Sequence, residues 1–406
     1  MPPAPSPAAR VLDLTRSLIE RFGPRLAGSP ACRQAAAALQ AELQRICGRA
    51  ELEPFTTHPG AFMGFYKINV PIYILSAVLL ALGAPLPAAL GLLFITLTGF
   101  SEFGFYHELF DPLFPEKECT NLVARLEPQG PATRTFIISG HHDSAQELTF
   151  LLRWQKLYAL RIVLADVFVF TALLGAWLWA LQGGAAHPPY AAPLGWFALV
   201  GIALMLPKFF LVTERGVPGA GDNLVASAML VELARQFADP ARPGCSRLQH
   251  TRLLWVSFDA EESGLRGARA FAARHRAELQ ALPTFMLNID SIYHTRELQF
   301  VTRDLNGTVP LSEDLARRAA RHCAAAGGPQ RFYRMAFGGG GTDAAELAKA
   351  GVQATTLIGL STALVRDGLV YHTLNDTVEA IEPAAVEICL QTAIHLAEEL
   401  DDGSYE

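Results

Sequence analysis

The sequence predicts an α/β fold, a mainly parallel sheet with helices on both faces, interrupted twice by apolar helical hairpins. Three observations carry this reading. Short, nearly continuous apolar runs such as Leu253–Phe258 lack the polar alternation of a half-exposed strand and suit strands buried on both faces of a parallel sheet. Such runs alternate with amphipathic stretches of about ten residues or more, the pattern of strand–helix–strand units. The third is composition: 51% hydrophobic and 18% charged residues over 406 positions, with a mean hydropathy of +0.23, point to membrane segments added to a globular core.

A net charge of −6 and a pI near 6.0 carry no broad basic balance, so nucleic acid is not expected as a partner. Cys32, Cys47, Cys119, Cys245, Cys323 and Cys389 are scattered without CxxC spacing, which indicates neither a zinc knuckle nor a disulfide framework and suits a reducing compartment. The first 30 residues have no apolar stretch after a basic start, so no cleavable signal peptide is expected.

In chain order, Leu12, Leu14, Leu18, Ile19 and Phe22 recur at helical spacing among Asp13, Arg16, Glu20 and Arg21, predicting an amphipathic helix over about 8–22 that Gly23-Pro24 ends. Ser29 as N-cap and Pro30 at the first helical position open a second helix through Ile46. A strand is expected at Leu52–Thr57. Between Ala61 and Tyr106, Ile68–Leu82 and Ala88–Phe100 are almost entirely apolar and are separated by Gly83-Ala84-Pro85-Leu86-Pro87. Extended over Phe62, Phe65 and Tyr66 on one side and Phe103, Phe105 and Tyr106 on the other, each arm reaches the roughly 20 residues a spanning helix needs, with the aromatics as an interfacial belt. A buried hairpin is the competing reading, disfavoured by the scarcity of polar groups.

Strands are expected at Asn121–Leu126 and Thr135–Ser139. A second hairpin of the same plan follows, Ile162–Leu181 with Asp166 its only charge, and Leu194–Val212 interrupted by Lys208, joined through Gln182–Pro189. Together the hairpins make four transmembrane helices. Lys67, Lys156, Arg161, Lys208 and Arg215 all flank the outer ends, and the hairpin turns contain no Lys or Arg, so the positive-inside rule places the outer ends in the cytoplasm. The expected organisation is 61–106 and 161–212 as membrane hairpins, with 1–60, 107–160 and 213–406 building one domain on one side of the bilayer. Beyond the second hairpin the alternation continues: helix Leu224–Phe237, strand Leu253–Phe258, helix Leu265–Leu279, strand Phe285–Ile289, helix Leu311–Ala326 and the apolar run Ala354–Ile358.

Polar groups gather just past the carboxyl ends of these strands, where open α/β sheets place their sites: His141 and Asp143, then Glu261 and Glu262, then Asp290. With Asp222 at a helix start and His372 in Tyr371-His372-Thr373, the chain offers five candidate metal ligands, His141, Asp222, Glu262, Asp290 and His372. Carboxylates mixed with one imidazole per metal suit two Zn²⁺ ions about 3.5 to 4 Å apart. Each residue alone has a structural explanation, Asp222 as a helix cap, His372 as a core histidine, Asp290 as a surface turn; all would have to hold at once.

The order His-x-Asp (141–143), Pro-Gly-Ala-x-Asp-Asn (218–223), Ala-Glu-Glu-x-Gly-Leu-x-Gly (260–267), Asn-x-Asp (288–290) and Tyr-His-Thr-x-x-Asp-Thr (371–377) resembles the M28 family of dizinc peptidases. Weaker matches are Phe22–Pro30 and Ala350–Thr356. The resemblance covers about 8–60, 119–145 and 213–400 and implies a three-layer α/β/α zinc-peptidase domain. It also implies metal ligation by His141, Glu262, Asp290 and His372, with Asp222 bridging two Zn²⁺. Asp143 would orient His141, and Glu261 would be the general base that takes a proton from the attacking water and returns it to the leaving amine of a peptide substrate. A metallopeptidase family with an exchanged lid domain shares much of this ligand order; the Pro-Gly-Ala-x-Asp-Asn and Tyr-His-Thr motifs favour M28.

Two departures stand out. The second hairpin lies between Asp143 and Asp222, where the family has a short loop, and Gly341-Thr342-Asp343-Ala344 stands where Ser-Asp-His is usual. A membrane-anchored aminopeptidase is the leading expectation. A non-catalytic receptor or scaffold on the same fold and a glutaminyl-cyclase-like acyl transferase are the alternatives. His142 is expected to pack, Asp166 to face other helices, and His187 to be exposed.

Overall fold

Alternating side chains of the central strands feed two separate cores. Phe136 and Ile138, Leu253 and Trp255, and Phe285, Leu287 and Ile289 pack to one side, whereas Ile137, Leu254, Val256, Phe258 and Met286 pack to the other. A strand apolar at every position therefore requires cover on both faces. Helices Pro7–Phe22, Pro30–Cys47, Val225–Ala238, Glu313–Ala325 and Pro383–Asp401 supply it on the first face; Arg266–Arg274 and Asp343–Lys349 supply it on the second. The computed structural model describes residues 5–152, 155–183, 187–238, 247–361 and 368–403. Cys245 and part of the second hairpin turn lie outside them; the remaining cysteines are free thiols.

The strands are β1 (Ala50–Thr57), β2 (Lys117–Leu126), β3 (Arg134–His141), β4 (Gln146–Leu148), β5 (Val212–Gly216), β6 (Thr251–Phe258), β7 (Thr284–Asp290), β8 (Gln299–Asp304), β9 (Val309–Pro310), β10 (Phe332–Arg334) and β11 (Gln353–Ile358). The main sheet runs β1-β2-β6-β3-β7-β11-β8-β10, with β9 beside β8. Its centre, β6-β3-β7-β11, is parallel; β1, β2 and β8 pair antiparallel at the flanks. The fold is thus mixed α/β around a parallel core. β4 and β5, the stems of the second hairpin, form a separate ribbon.

Ser29 caps the second helix, its Oγ accepting from Cys32 N at 3.1 Å with Pro30 following. The predicted helix over 265–279 is broken at His275 into Arg266–Arg274 and Arg276–Ala281. Among the described residues, four helices are long and apolar enough to cross a membrane: Ala61–Ala81, Pro85–Gly104, Gln155–Leu181 and Ala191–Phe210. They pack as one bundle around small residues such as Ala77, Ala88, Ala165, Ala172, Ala176 and Ala198, which let backbones approach closely, and Tyr73 OH donates to Ala198 O at 3.0 Å. Leu75, Leu90, Leu97, Val163, Leu174, Trp196 and Val200 point outward, the reverse of a water-soluble bundle. Asp166 accepts from Lys208 Nζ at 2.7 Å, and His187 is exposed with its ring edge against Trp179. The bundle is tied to the α/β domain by Phe62, Phe103 and Tyr106 packing together and by Asn306 Nδ2 donating to Phe103 O at 2.7 Å.

Candidate metal centre

Because β6, β3 and β7 are adjacent and parallel, their carboxyl ends place His141, the Glu261-Glu262 pair and Asp290 in one row. Two loops complete the cluster. Asp222, which as a helix cap would turn toward Val225–Ala238, comes from the turn before that helix. Its carboxylate instead meets His141 Nε2 at 3.3 Å through Oδ1 and His372 Nε2 at 3.1 Å through Oδ2. The sequence-derived candidates thus fall into two sets whose ligand atoms lie within 4.8 Å of one another: His141, Asp222 and Asp290, and Asp222, Glu262 and His372. Asp222 belongs to both. His372 Nε2 is 3.0 Å from Glu262 Oε2, and Glu261 Oε2 is 3.6 Å from His141 Nε2.

Whether these residues fit a metal pair can be judged from their hydrogen bonds. Despite approaches of 3.0–3.3 Å within the cluster, none of buried His141 Nε2, His372 Nε2, Asp222 Oδ2 and Glu262 Oε1 makes a properly directed hydrogen bond. Such groups cost free energy when unpaired, and all four converge on the same volume. Burial works to raise Asp222, but His141 and His372 hold its carboxyl well below the usual range. Burial pushes Glu262 up to about 7 and Asp290 up to about 6, and pushes Glu261 well up as well, opposed by His141 and reinforced by Asp343, Asp290 and Glu262. Crowded carboxylates of this kind are what a cation relieves.

Supporting groups fix the geometry. His141 Nδ1 lies 3.2 Å from Asp143 Oδ1 and 3.3 Å from the Asp143 backbone carbonyl, and the two carboxylate oxygens accept from the backbone N–H of Glu261 and Glu262 at 3.2 Å each. One buried carboxylate thus orients an imidazole and anchors the loop carrying both glutamates. Asp376 does the equivalent for Asp222, accepting from Gly221 N at 2.8 Å and Asp222 N at 3.2 Å. Fully buried Arg25 donates to the carbonyls of His142, Gly23, Pro218 and Gly219 at 2.8–3.0 Å, stitching the loop after β3 to the turn bearing Asp222. Ala260, Ser291 and His372 take φ of +57°, +51° and +53°, a left-handed backbone that costs a side-chain-bearing residue about 1 kcal/mol or more. Ala260 precedes Glu261, Ser291 follows Asp290, and His372 is itself a candidate ligand.

Sequence reasoning assigned no role to Arg25, Asp376 or Asp343. The first two lie inside quoted motifs, Phe22–Pro30 and Tyr371–Thr377, so their position was the available signal. Asp343 sits in the departing loop; it is fully buried with neither oxygen partnered, and burial, opposed by His141 and aided by Asp290 and Asp143, raises its carboxyl well above the usual range. A cleft of about 120 Å³ reaches the cluster past Glu262, Ser263 and His372, walled by Phe62 and Met63 from the root of the first hairpin and by Leu148 and Val212 from the stems of the second.

Residues 206–397 match the model of Peptidase family M28, a span that holds Asp222, Glu261, Glu262, Asp290 and His372 but not His141 or Asp143. No curated protein matches the sequence. Among solved structures, the chain is similar to Acidobacteriales bacterium glutaminyl cyclase, with TM-score 0.56 and 15% identity over 99% of this chain and 98% of that one. It is also similar to BSAP, a zinc aminopeptidase from Bacillus subtilis, with TM-score 0.54 and 13% identity over 97% and 94%. Legionella pneumophila LapA aminopeptidase gives TM-score 0.53 and 12% identity over 97% of this chain and 72% of that one. At these identities the likeness establishes the fold.

Proposed function

We propose that this chain is a membrane-anchored dizinc aminopeptidase in which Glu261 is the general base. The observation that carries the reading is the pair of ligand sets sharing Asp222, with their unpartnered atoms converging. Two zinc ions held there would supply Lewis-acid polarisation of a scissile carbonyl and acidify a bound water. His141 and Asp290 would hold one ion, Glu262 and His372 the other, and Asp222 both. Asp143, facing His141 Nδ1, leaves Nε2 to point at the centre and sets the imidazole's tautomer. Glu261, its backbone held by Asp143, takes a proton from the attacking water and delivers it to the departing amine.

The small cleft supports exopeptidase action, since about 120 Å³ is well below a drug-sized pocket and suits one terminal side chain, with Phe62, Met63, Leu148 and Val212 favouring an apolar one. The four apolar helices would anchor the enzyme, and the positive charges flanking their outer ends favour a cytoplasmic catalytic domain. Glutaminyl cyclases among the structural neighbours supply a second reading, in which the same base serves loss of ammonia from an amino-terminal glutamine.

The test is mass spectrometry of peptides with free or acetylated amino termini, incubated with the purified full-length protein. Addition of water at free termini is expected, falling roughly 10²–10⁴-fold in Glu261→Gln. A folded, metal-loaded Glu261→Gln protein as fast as wild type would overturn the assignment of the base; loss of ammonia without hydrolysis would establish cyclisation instead; and a protein that holds no zinc would point to a non-catalytic scaffold.

A further inference from the structure

Behind the candidate centre lies a second group of donors with no part in the reaction above. Cys32 Sγ, an imidazole nitrogen of His142 and an oxygen of Asp259 lie within 4.8 Å of one another, and all three residues are fully buried. Cys32 Sγ donates to Asp259 Oδ1 at 3.3 Å, while Asp259 Oδ2 accepts from Thr120 N at 2.8 Å. His142 Nδ1 pairs with Ser257 Oγ at 2.8 Å, leaving Nε2 buried and unpartnered.

We propose that Cys32, His142 and Asp259 form a separate, fully buried metal site for zinc. Thiolate, imidazole and carboxylate are the donors zinc takes. The ion would replace the Cys32 thiol proton, balance the buried Asp259 charge and occupy the free lone pair of His142. Ser257 Oγ on Nδ1 would hold the ring, as the outer partner of a metal-bound histidine does. The placement gives the site a purpose. His142 lies between His141 and Asp143, Asp259 precedes Glu261 by two residues, and Cys32 opens the helix Pro30–Cys47. One ion would clamp that helix to both loops that build the centre. The inference rests on these donors alone and stands or falls independently of the proposed reaction.

The experiment is a titration of the metal-free, reduced, full-length protein in detergent with Co²⁺. The His-and-carboxylate centre has no sulfur, so a thiolate-to-cobalt charge-transfer band in the near ultraviolet reports the second site alone. The band is expected to saturate at one equivalent, to vanish in Cys32→Ser, and to persist in a His141→Ala/His372→Ala protein. Zinc analysis of Cys32→Ser should return one ion fewer per chain than wild type. Absence of the band in the wild-type protein at any cobalt load overturns the site without recourse to variants, as does a band or zinc content that Cys32→Ser leaves unchanged.

Discussion

Asp143→Asn tests the architecture of the centre more sharply than removal of any ligand. The two carboxylate oxygens of Asp143 accept from the N–H groups of Glu261 and Glu262 at 3.2 Å each, His141 Nδ1 lies 3.2 Å from Oδ1, and the residue is fully buried. Hydrogen bonds to a charged group contribute roughly 1.5–3 kcal/mol each. Asparagine has a single acceptor oxygen, and its NH₂ faces another N–H, so one of the two bonds is lost, roughly 1.5–3 kcal/mol before the loop relaxes. Relaxation takes back part of this, and substitution of groups that orient metal-bound histidines typically costs 10–100-fold in affinity or activity. We expect Asp143→Asn to lose zinc to a competing chelator at 10- to 100-fold lower chelator concentration and to lower kcat/KM by a similar factor, with the far-UV circular dichroism unchanged. Zinc retention and kcat/KM both within twofold of wild type would refute the claim that one carboxylate holds the imidazole and the glutamate loop together.

Phe62→Ala should widen the cleft at the hairpin root and raise the kcat/KM ratio for large over small apolar amino-terminal residues by about tenfold, the scale of one hydrophobic contact; an unmoved ratio would remove Phe62 from the substrate wall. Metal removal should invert the response to pH. Burial lifts Glu262 to about 7 and Asp290 to about 6, so their contribution is fully present below the unfolded values, near 4, and is lost as pH rises through 6 to 7. His372 runs the same way at higher pH: burial lowers it, yet Glu262 and Asp222 prevail and hold it up at about 10. Chelator-treated protein should therefore melt at a lower temperature at pH 8 than at pH 5, and zinc should restore most at pH 8; identical pH profiles with and without metal would contradict this. Reporters fused at Pro188 and at the carboxyl terminus should register opposite sides of the membrane, with the terminus inside; a terminus outside would reverse the orientation drawn from Lys67, Lys156, Arg161, Lys208 and Arg215.

Much of this molecule is local and therefore legible in the chain. Ser29-Pro30 starts a helix wherever it is placed, and the run Leu253–Phe258 needs cover on two faces whatever provides it. Residues at strand ends announce a site because parallel strands share a carboxyl edge. Less legible were the flanks. β8 and β10 are short and paired at the margin of the sheet, where a few residues carry no periodicity, and Asp343–Lys349 follows a glycine-rich loop that hides its start.

Charge and hydrogen-bond closure were beyond reach in principle, because they depend on groups hundreds of positions apart. Cys32, His142 and Asp259 have no recognisable spacing and read as unrelated until the fold brings their ligand atoms within 4.8 Å. Arg25 reads as an ordinary charged residue until it is found buried among four carbonyls. The sequence by itself determined the element types, the hairpin insertions and the residue types gathered at strand ends, because each follows from periodicity and local chemistry. Only the tertiary structure decided that Asp222 faces two histidines instead of capping its helix, that Asp143 anchors both glutamates, and that the hairpin roots wall the cleft, because those depend on which distant groups share one low-dielectric volume.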